Sequence, residues 1–354
     1  MTVPVPNGEA TVAVSIIDPN EVIGVPARLF LTPQIEGTAY SNTPCLCFYI
    51  EHKDVNGKVT RLLFDLGIRK DWKSSPPTVV NAVESMGVTI NTKHDVPELL
   101  RQHDVEPASI DHIILSHGHF DHVGDINLFP PSVGVVVGPG FQSHLLPGYP
   151  EVPDSALETA AFTGRKLTEL NFAAATQEIA SLQTLDWFGD GSFFLLETPG
   201  HAVGHISALA RTTTAARDGG DTFLLLSGDC CHHAGELRPH ERCPLPTGAL
   251  TAHADLPCDT YLSTDEYVAR HPLRCLDRPF FSPAAGGFNM DAAQMRRTLD
   301  EGIAPLDADP RVLVIPAHEH WLLDVVEFFP STANDWREKK WKEKAKWRFL
   351  QDFT

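Results

Sequence analysis

Four side chains that can bind metal ions lie within six consecutive residues of this 354-residue chain: His117, His119, Asp121 and His122. They follow a short apolar run at residues 113–115, which is typical of a buried strand. Alternate residues of an extended segment point the same way, so His117 and His119 can reach one metal ion together. Asp121 and His122 lie just beyond and can reach a second ion. Imidazole and carboxylate groups suit zinc and related transition metals, so this turn is a predicted metal site.

The spacing His-x-His-x-Asp-His resembles the signature of the metallo-β-lactamase superfamily. That resemblance implies three further ligands, each at the end of a later strand. A Thr-Pro-Gly turn precedes His201, and two apolar runs end at Asp229 and His318. An earlier Asp-x-Gly element of the family is matched at Asp65. All of these elements occur in the family's order, and the resemblance covers roughly residues 40–320.

The resemblance implies two bound zinc ions, with iron or manganese as alternatives. The implied ligands are His117, His119 and His201 for one ion, Asp121, His122 and His318 for the other, and Asp229 as a bridge. A water molecule shared by two cations loses a proton near neutral pH, and the resulting bridging hydroxide attacks the substrate carbonyl. Asp121 is also expected to pass a proton as the intermediate collapses.

Asp65 is expected to orient a ligand imidazole without binding the ion itself, as the matching aspartate does in the family. A hydrogen-bonded partner of this kind fixes the direction of the imidazole ring. The alternative for Asp65 is a helix or turn cap, because aspartate is a common capping residue.

Two positions separate this chain from the commonest true metallo-β-lactamases, which carry Cys at the position of Asp229 and lack a histidine after Asp121. Asp229 and His122 resemble instead the lactonase, glyoxalase II and nuclease branches. In acyl-homoserine lactonases, a Tyr three residues after the bridging aspartate assists the leaving group, and here that position is His232. His232 is therefore a candidate catalytic acid. The alternative is that His232 and His233 form a hydrogen-bonded structural pair.

The run from Asp229 to His233 and the Pro-rich insertion resemble the fungal-type lactonase-like branch, some members of which open γ-lactam rings. The resemblance implies a hydrolase that opens a small lactone or γ-lactam, with detoxification of a xenobiotic such as benzoxazolinone as a candidate role. One alternative is a thioesterase acting on an acyl or glutathione thioester. Another is a mononuclear iron oxygenase or a metal sensor on the same fold. The number of metal ions bound per chain distinguishes these alternatives from a two-ion hydrolase.

Composition and sequence patterns disfavour several classes of partner. The net charge of −18 and the pI near 5.3 disfavour nucleic acid, which needs basic surface. The N-terminal residues lack the pattern of a secretory signal, and no apolar run is long enough for a membrane helix. The odd number of cysteines, seven, indicates reduced thiols. We expect a cytoplasmic enzyme with a small-molecule substrate and no membrane partner, while the oligomeric state stays open.

Two β-rich halves, each with helices outside, predict an α/β fold: a four-layer αβ/βα sandwich with the metal ions at one edge of the sheets. The resemblance implies one domain over residues 1–354, with insertions at about 141–170 and 235–285. We expect these insertions to build the substrate pocket, since loops carry specificity. Residues 68–94 are expected to be a polar surface excursion. A Lys- and Trp-rich helix is predicted at about 331–351.

Hydrophobic patterning places the remaining elements. Apolar and alternating runs predict strands at residues 10–17, 44–51, 59–65, 134–138, 183–188, 192–198, 205–210, 222–227 and 312–318. Helices are predicted at residues 95–103, with Asp95 as the N-cap, and at residues 289–303.

Overall fold

The computed structural model describes residues 2–18, 20–247, 262–286 and 288–354. The strands in the described part of the chain are β1 (Val12–Ile17), β2 (Asn20–Pro26), β3 (Leu31–Thr32), β4 (Tyr40–Pro44), β5 (Cys47–Lys53), β6 (Val59–Phe64), β7 (Thr89–Thr92), β8 (His112–Ile114), β9 (Gly134–Val137), β10 (Leu167–Glu169), β11 (Gln177–Ile179), β12 (Leu182–Asp186), β13 (Phe193–Glu197), β14 (Ile206–Thr213), β15 (Thr222–Leu226), β16 (Ser282–Pro283) and β17 (Val312–Ile315).

Short helices connect these strands. The α-helices of the described residues are α1 (Pro77–Met86), α2 (Val96–Gln102), α3 (Phe120–Val123), α4 (Phe141–Leu145), α5 (Thr159–Phe162), α6 (Ala215–Asp218), α7 (Ala234–Leu237), α8 (Thr264–Arg270), α9 (Ala292–Arg297), α10 (Ala304–Ala308) and α11 (Trp341–Ala345). A π-helix, Thr298–Ile303, joins α9 to α10. None of the helices in the described ranges combines the length and the apolar character needed to cross a membrane.

Two six-stranded sheets form the centre of the fold. Their strand orders are β1-β5-β6-β8-β9-β10 and β11-β12-β13-β14-β15-β17. Strands β6, β8, β9 and β10 run parallel, as do β15 and β17. A smaller sheet has the order β4-β2-β7, and β3 pairs with β16.

Neighbouring residues of one strand pack on opposite faces of each sheet, as the alternation of side chains requires. Ile114 of β8 and Leu224 of β15 share one apolar cluster between the two sheets. The adjacent residues face outward: Ile113 packs on the side of α2, and Leu225 packs on the side of α10. The order helix, sheet, sheet, helix confirms the predicted four-layer αβ/βα sandwich.

The strands expected from hydrophobic patterning are present, with their ends shifted by a few residues. The predicted helix at residues 95–103 is α2, and its capping box joins Asp95 to Glu98. The helix predicted at 289–303 begins at Ala292 and continues to Ala308 through the π-helix.

The surface excursion predicted at residues 68–94 is wrong in part. This segment contains α1 and β7, and Val79 and Val83 of α1 are buried. The apolar positions of α1 recur four residues apart, which gives the helix one packing face despite its polar surroundings. Strand β7 adds to the small sheet through β2.

The two predicted insertions carry regular structure. Residues 141–170 include α4, α5 and β10, and β10 pairs with β9 at the edge of the first sheet. Residues 235–285 include α8 and β16, while residues 248–261 of this insertion lie outside the described residues. The assignment of the whole chain to one domain stays a prediction.

The single C-terminal helix predicted at 331–351 is wrong. Residues before Lys340 form turns, α11 has five residues, and Arg348–Phe353 is a 3-10 helix. Lys340 has a φ of +57°, a left-handed conformation that interrupts a right-handed helix.

Packing accounts for this interruption. Trp336 and Trp341 are buried in the cluster between the two sheets, whereas Phe349 and Leu350 are buried in a separate cluster with Tyr267. One straight helix cannot direct its apolar side chains into two separate clusters, so burial outweighs the helical propensity of the Lys-rich segment.

Candidate metal centre

Five chain segments end at one edge of the two central sheets. The carboxyl ends of β6 and β8 meet there because the strands are parallel neighbours, and β15 and β17 meet there for the same reason. The turn after β13 adds a fifth segment. This edge collects all of the predicted ligands and the predicted orienting aspartate: Asp65, His117, His119, Asp121, His122, His201, Asp229 and His318.

The first ligand group surrounds His201. Its Nε2 lies 3.2 Å from His117 Nε2, 3.0 Å from His119 Nδ1 and 3.3 Å from Asp229 Oδ2. The four ligand atoms all lie within 4.8 Å of one another. This group matches the residues predicted for one ion, together with the predicted bridge.

The second ligand group lies on the other side of the same carboxylate. Asp229 Oδ1 is 3.0 Å from His122 Nε2 and 3.1 Å from His318 Nε2. Asp121 Oδ2 is 3.5 Å from His318 Nε2. Asp229 thus presents one oxygen to each group, which is the arrangement that a bridging ligand requires.

Hydrogen bonds fix which nitrogen of two ligand imidazoles points to the centre. His201 Nδ1 donates to Asn289 Oδ1 at 3.1 Å, and His318 Nδ1 donates to the Pro44 carbonyl at 2.7 Å. Each ring therefore directs its Nε2 to the centre, where this nitrogen can bind a metal ion once it carries no proton. Asn289 lies just outside the predicted insertions and was not recognised from the sequence.

Asp65 holds a third ligand in the same way. Its carboxylate accepts hydrogen bonds from the Ser116 amide and hydroxyl, both at 2.7 Å, and from His122 Nδ1 at 2.8 Å. The first helix after Asp65 in the described chain begins at Trp72, so Asp65 does not act as a helix cap. The position of Asp65 behind His122 is the one from which a carboxylate can orient that imidazole ring.

The residues present fit divalent metal ions. His122 Nε2 and Asp229 Oδ1 are buried and, among the described residues, have no hydrogen-bond partner although they lie 3.0 Å apart. Unpaired buried polar atoms are costly, and a cation between them would satisfy both. Imidazole and carboxylate donors serve zinc, iron and manganese alike, so the donor set leaves the identity of the metal open.

Replacing the orienting carboxylate should weaken metal binding. We expect Asp65→Ala to lower the zinc affinity of the second ligand group by about 10- to 100-fold, because the His122 ring loses its fixed direction. Asp65→Asn, which keeps an acceptor oxygen, should lose less. Competition with a chromogenic chelator measures both variants, and unchanged zinc affinity in Asp65→Ala would remove Asp65 from this role.

His205 supports the bridging residue and was also missed in the sequence. Its Nδ1 donates to the Thr198 carbonyl at 2.9 Å, and its Nε2 accepts the backbone N–H of Asp229 at 3.0 Å. Burial lowers the pKa of His205 to about 4, so the ring is neutral and can accept this bond. Its position four residues after His201, in the same turn, is the signal that could have found it.

The two adjacent histidines after Asp229 turn to different partners. His232 Nε2 lies 3.3 Å from Asp229 Oδ2, and the His232 ring is 4.3 Å from that of Phe30. His233 instead accepts a backbone N–H of α7 and lies 2.9 Å from Asp352 Oδ2. Only the first of the two side chains therefore faces the metal centre.

The candidate metal ligands differ in charge before an ion binds. Burial lowers the pKa of His117 and His201 well below the ordinary value of histidine. Burial also opposes the charging of His122 and His318, but the Asp229 carboxylate outweighs it and raises the pKa of both well above that value. In the metal-free protein the first group is thus ready to bind at neutral pH, whereas the second holds protons that must leave.

Zinc binding to the two groups should depend differently on pH. A histidine with a raised pKa is protonated at neutral pH, so its ligation releases a proton and its metal affinity rises with pH. We expect the second equivalent of zinc to release more protons at pH 7 than the first. Calorimetric titrations in buffers of different ionisation enthalpy measure this, and equal proton release from both groups would contradict the charge assignment.

A cavity of about 210 Å³ opens over the ligand groups. Asp121, Asp229 and His318 line its polar end. Its apolar walls come from β2, the segment after it, and α1, and include Val22, Val25, Leu31, Val79, Ala82 and Met86. The small sheet and α1 therefore enclose the space next to the metal centre.

The prediction that the two insertions build this pocket is wrong for the described residues. Ala156 is the one lining residue within 141–170, and none of the described part of 235–285 lines the cavity. Phe288, just beyond the second insertion, stacks on Phe30 with ring centroids 5.3 Å apart. The N-terminal third of the chain lies over the edge where the ligands meet, so it occupies the space that the insertions were expected to cover.

A separate group of metal-capable residues is already neutralised. His240, Cys243 and Asp307 lie together in the buried interior. Both Asp307 oxygens accept hydrogen bonds from Arg238, at 2.9 and 2.5 Å. Because a guanidinium group occupies the carboxylate, this cluster is an internal ion pair and not a cation site.

Comparison with known proteins agrees with this geometry. The sequence profile of the metallo-beta-lactamase superfamily matches residues 43–318, which include every ligand described above. This chain belongs to the metallo-beta-lactamase superfamily. The match, together with relatives that are hydrolases by name, makes the chain a metal-dependent hydrolase.

Two relatives from fungi are similar over nearly the whole chain. Gamma-lactamase FDB1 of Fusarium pseudograminearum (strain CS3096) is 40% identical over 357 residues, which cover 99% of this chain and 84% of that protein. Metallo-hydrolase mfmC of Annulohypoxylon moriforme is 36% identical over 360 residues, which cover 99% of this chain and 89% of that protein.

Solved lactonases of the superfamily share the fold. An N-acyl homoserine lactone hydrolase with the product N-hexanoyl-L-homoserine at its catalytic metal center is 15% identical, with a TM-score of 0.57 over 94% of this chain and 100% of that chain. The dizinc quorum-quenching lactonase AidC is 12% identical, with a TM-score of 0.51 over 90% of this chain and 91% of that chain.

Proposed function

We propose that this hydrolase opens a small cyclic ester or amide, a lactone or a γ-lactam, with two divalent metal ions. The observation that carries the proposal is the position of Asp229, whose two oxygens reach two separate ligand groups at 3.0–3.3 Å. The 40% identity to a fungal gamma-lactamase supports a lactam, and the fold shared with lactonases supports the same ring-opening chemistry.

Different residues of the chain have different roles in the proposed reaction. When bound, two ions would activate a water molecule as the nucleophile and polarise the substrate carbonyl. His117, His119 and His201 would hold one ion, and Asp229, which lies between the two ligand groups, would present one oxygen to each. Asp121 is partly exposed to the cavity, with 19% of its side chain accessible, and is placed to accept a proton and pass it on.

His232 supplies the proton that the leaving group needs. Its side chain lines the cavity and lies within 3.3 Å of Asp229. The backbone N–H of His232 donates to the buried Glu236 carboxylate at 2.7 Å, which fixes the backbone of the residue. An amine is a poor leaving group until it is protonated, so a lactam depends on this donor more than a lactone does.

The cavity suits a ring that carries an apolar, planar group. The stacked pair Phe30 and Phe288 and the aliphatic side chains of β2 and α1 form its walls, beside the polar end at the metal centre. A fused aromatic γ-lactam-type ring such as benzoxazolinone has one reactive carbonyl and one flat apolar face. The carbonyl suits the polar end of the cavity, and the apolar face suits its walls.

A panel of substrates tests the proposal. The zinc-loaded protein is assayed with γ-lactones, acyl-homoserine lactones, benzoxazolinone and other γ-lactams, and acyl or glutathione thioesters, each with and without chelator. We expect ring opening that a chelator abolishes and added zinc restores, and His201→Ala serves as the inactive control. Turnover of thioesters alone, or ring opening that survives complete metal removal, would overturn the proposal.

A further inference from the structure

A buried thiol lies at the second ligand group and has no part in the reaction proposed above. Cys45 is 1% exposed, and its sulfur lies within 4.8 Å of the ligand atoms of Asp121 and His318. The side chain therefore lies on the side of the second ligand group that carries Asp121 and His318.

The backbone on both sides of Cys45 is tied to the segment that carries His318. The Pro44 carbonyl accepts a hydrogen bond from His318 Nδ1 at 2.7 Å, and the Leu46 amide donates to the Ala317 carbonyl at 3.0 Å. Cys45 is thus held beside His318 by its neighbours, and its position does not depend on a flexible loop.

A second, independent feature points to a cation bound beside His318. His122 Nε2 and Asp229 Oδ1 are both buried, both belong to the second group, and both are without a hydrogen-bond partner among the described residues. Three atoms from His122, Asp229 and His318 lie within 4.8 Å of one another, and the group of Cys45, Asp121 and His318 shares His318 with them.

We propose that Cys45 is a ligand, together with Asp121 and His318, of the second metal ion. This inference rests on the proposed two-ion function. On ligation the thiol loses its proton to solvent and a sulfur–metal bond forms, with no change of oxidation state. Thiolate is a soft donor that favours zinc and cobalt over manganese, so the second position selects its metal more strongly than the all-nitrogen-and-oxygen first position.

Cys47 provides a matched control for Cys45. It lies two residues further on, is fully buried, and donates its S–H to the Cys45 carbonyl at 3.4 Å. It belongs to none of the groups of metal-capable side chains found in the described chain. Cys47→Ser therefore changes an equally buried thiol without touching the ligand group.

Cobalt-substituted protein tests the assignment without reference to activity. We expect two cobalt ions per chain and a near-ultraviolet thiolate-to-cobalt charge-transfer band in the unaltered protein. The band should persist in Cys47→Ser and disappear in Cys45→Ser and in Cys45→Ala, with folding checked by circular dichroism. Two bound cobalt ions without the band, or a band that survives both Cys45 variants, would overturn the proposal.

Zinc X-ray absorption on the unaltered protein gives a second readout that needs no variant. One sulfur ligand for every two zinc ions is expected, and the absence of sulfur from the zinc shell would overturn the assignment of Cys45. Binding of only one ion per chain would instead contradict the two-ion function, so the two failures are distinguishable.

Discussion

Asp121→Ala should lower ring-opening turnover by about 10²- to 10⁴-fold, the range typical of losing a positioned proton-transfer group. Asp121 Oδ2 lies 3.5 Å from His318 Nε2 and also faces the cavity. In the proposed mechanism the variant therefore loses a ligand of the second ion and the group that moves the proton. The side chain is partly exposed and lies in the first turn of the short helix α3, so the fold should survive. Steady-state kinetics on the zinc-loaded variant measure the loss.

Asp121→Asn separates the two roles of this residue. Asparagine keeps an oxygen that can face a metal ion but cannot accept a proton as a carboxylate does. We expect near-normal zinc content in Asp121→Asn together with slow turnover. Retained turnover in a fully zinc-loaded Asp121→Ala sample would remove Asp121 from the catalytic residues.

His232→Gln should affect lactams and lactones unequally. The substitution keeps most of the volume beside Phe30 but removes the imidazole proton donor. We expect lactam turnover to fall by about 10²-fold or more, whereas lactone turnover falls by about tenfold or less, because an alkoxide or phenoxide leaves more readily than an amide nitrogen. The lactam-to-lactone ratio of kcat is the measurement.

His233→Ala is the matched control for this ratio. His233 caps α7 and pairs with Asp352, whose carboxylate also accepts a hydrogen bond from Trp321. Its loss should lower thermal stability by weakening the hold on the C-terminal segment and leave the lactam-to-lactone ratio unchanged. An unchanged ratio in His232→Gln, or a shifted ratio in His233→Ala, would contradict the assignment of the proton donor to His232.

The clustering of the candidate ligands could be predicted from the sequence because these residues follow strand ends. A buried apolar strand leads to His117, and another leads to Asp229, so each local pattern fixes where its side chain emerges. Parallel neighbours bring these ends to one edge, which follows from the fold class alone. Local sequence patterns and the fold class are therefore enough to place ligands of this kind.

The pocket and the supporting residues could not be predicted in the same way. Val22 and Met86 line the cavity beside the metal centre because the small sheet and α1 fold over that edge, and local sequence patterns do not show which edge a segment will cover. His205 and Cys45 lie beside residues far along the chain, Asp229 and His318. Such contacts depend on tertiary packing and leave no mark in local periodicity.

The most direct test of the two-ion hydrolase is a titration of metal-free protein with zinc, in which bound zinc per chain and ring-opening rate are measured on the same samples. Two ligand groups that share Asp229 predict two zinc ions per chain, with the rate approaching its maximum only as the second equivalent binds. A full rate at one ion per chain would contradict the shared-carboxylate centre. Oxygen consumption by an iron-loaded sample, without ring opening, would place this chain among mononuclear iron oxygenases instead.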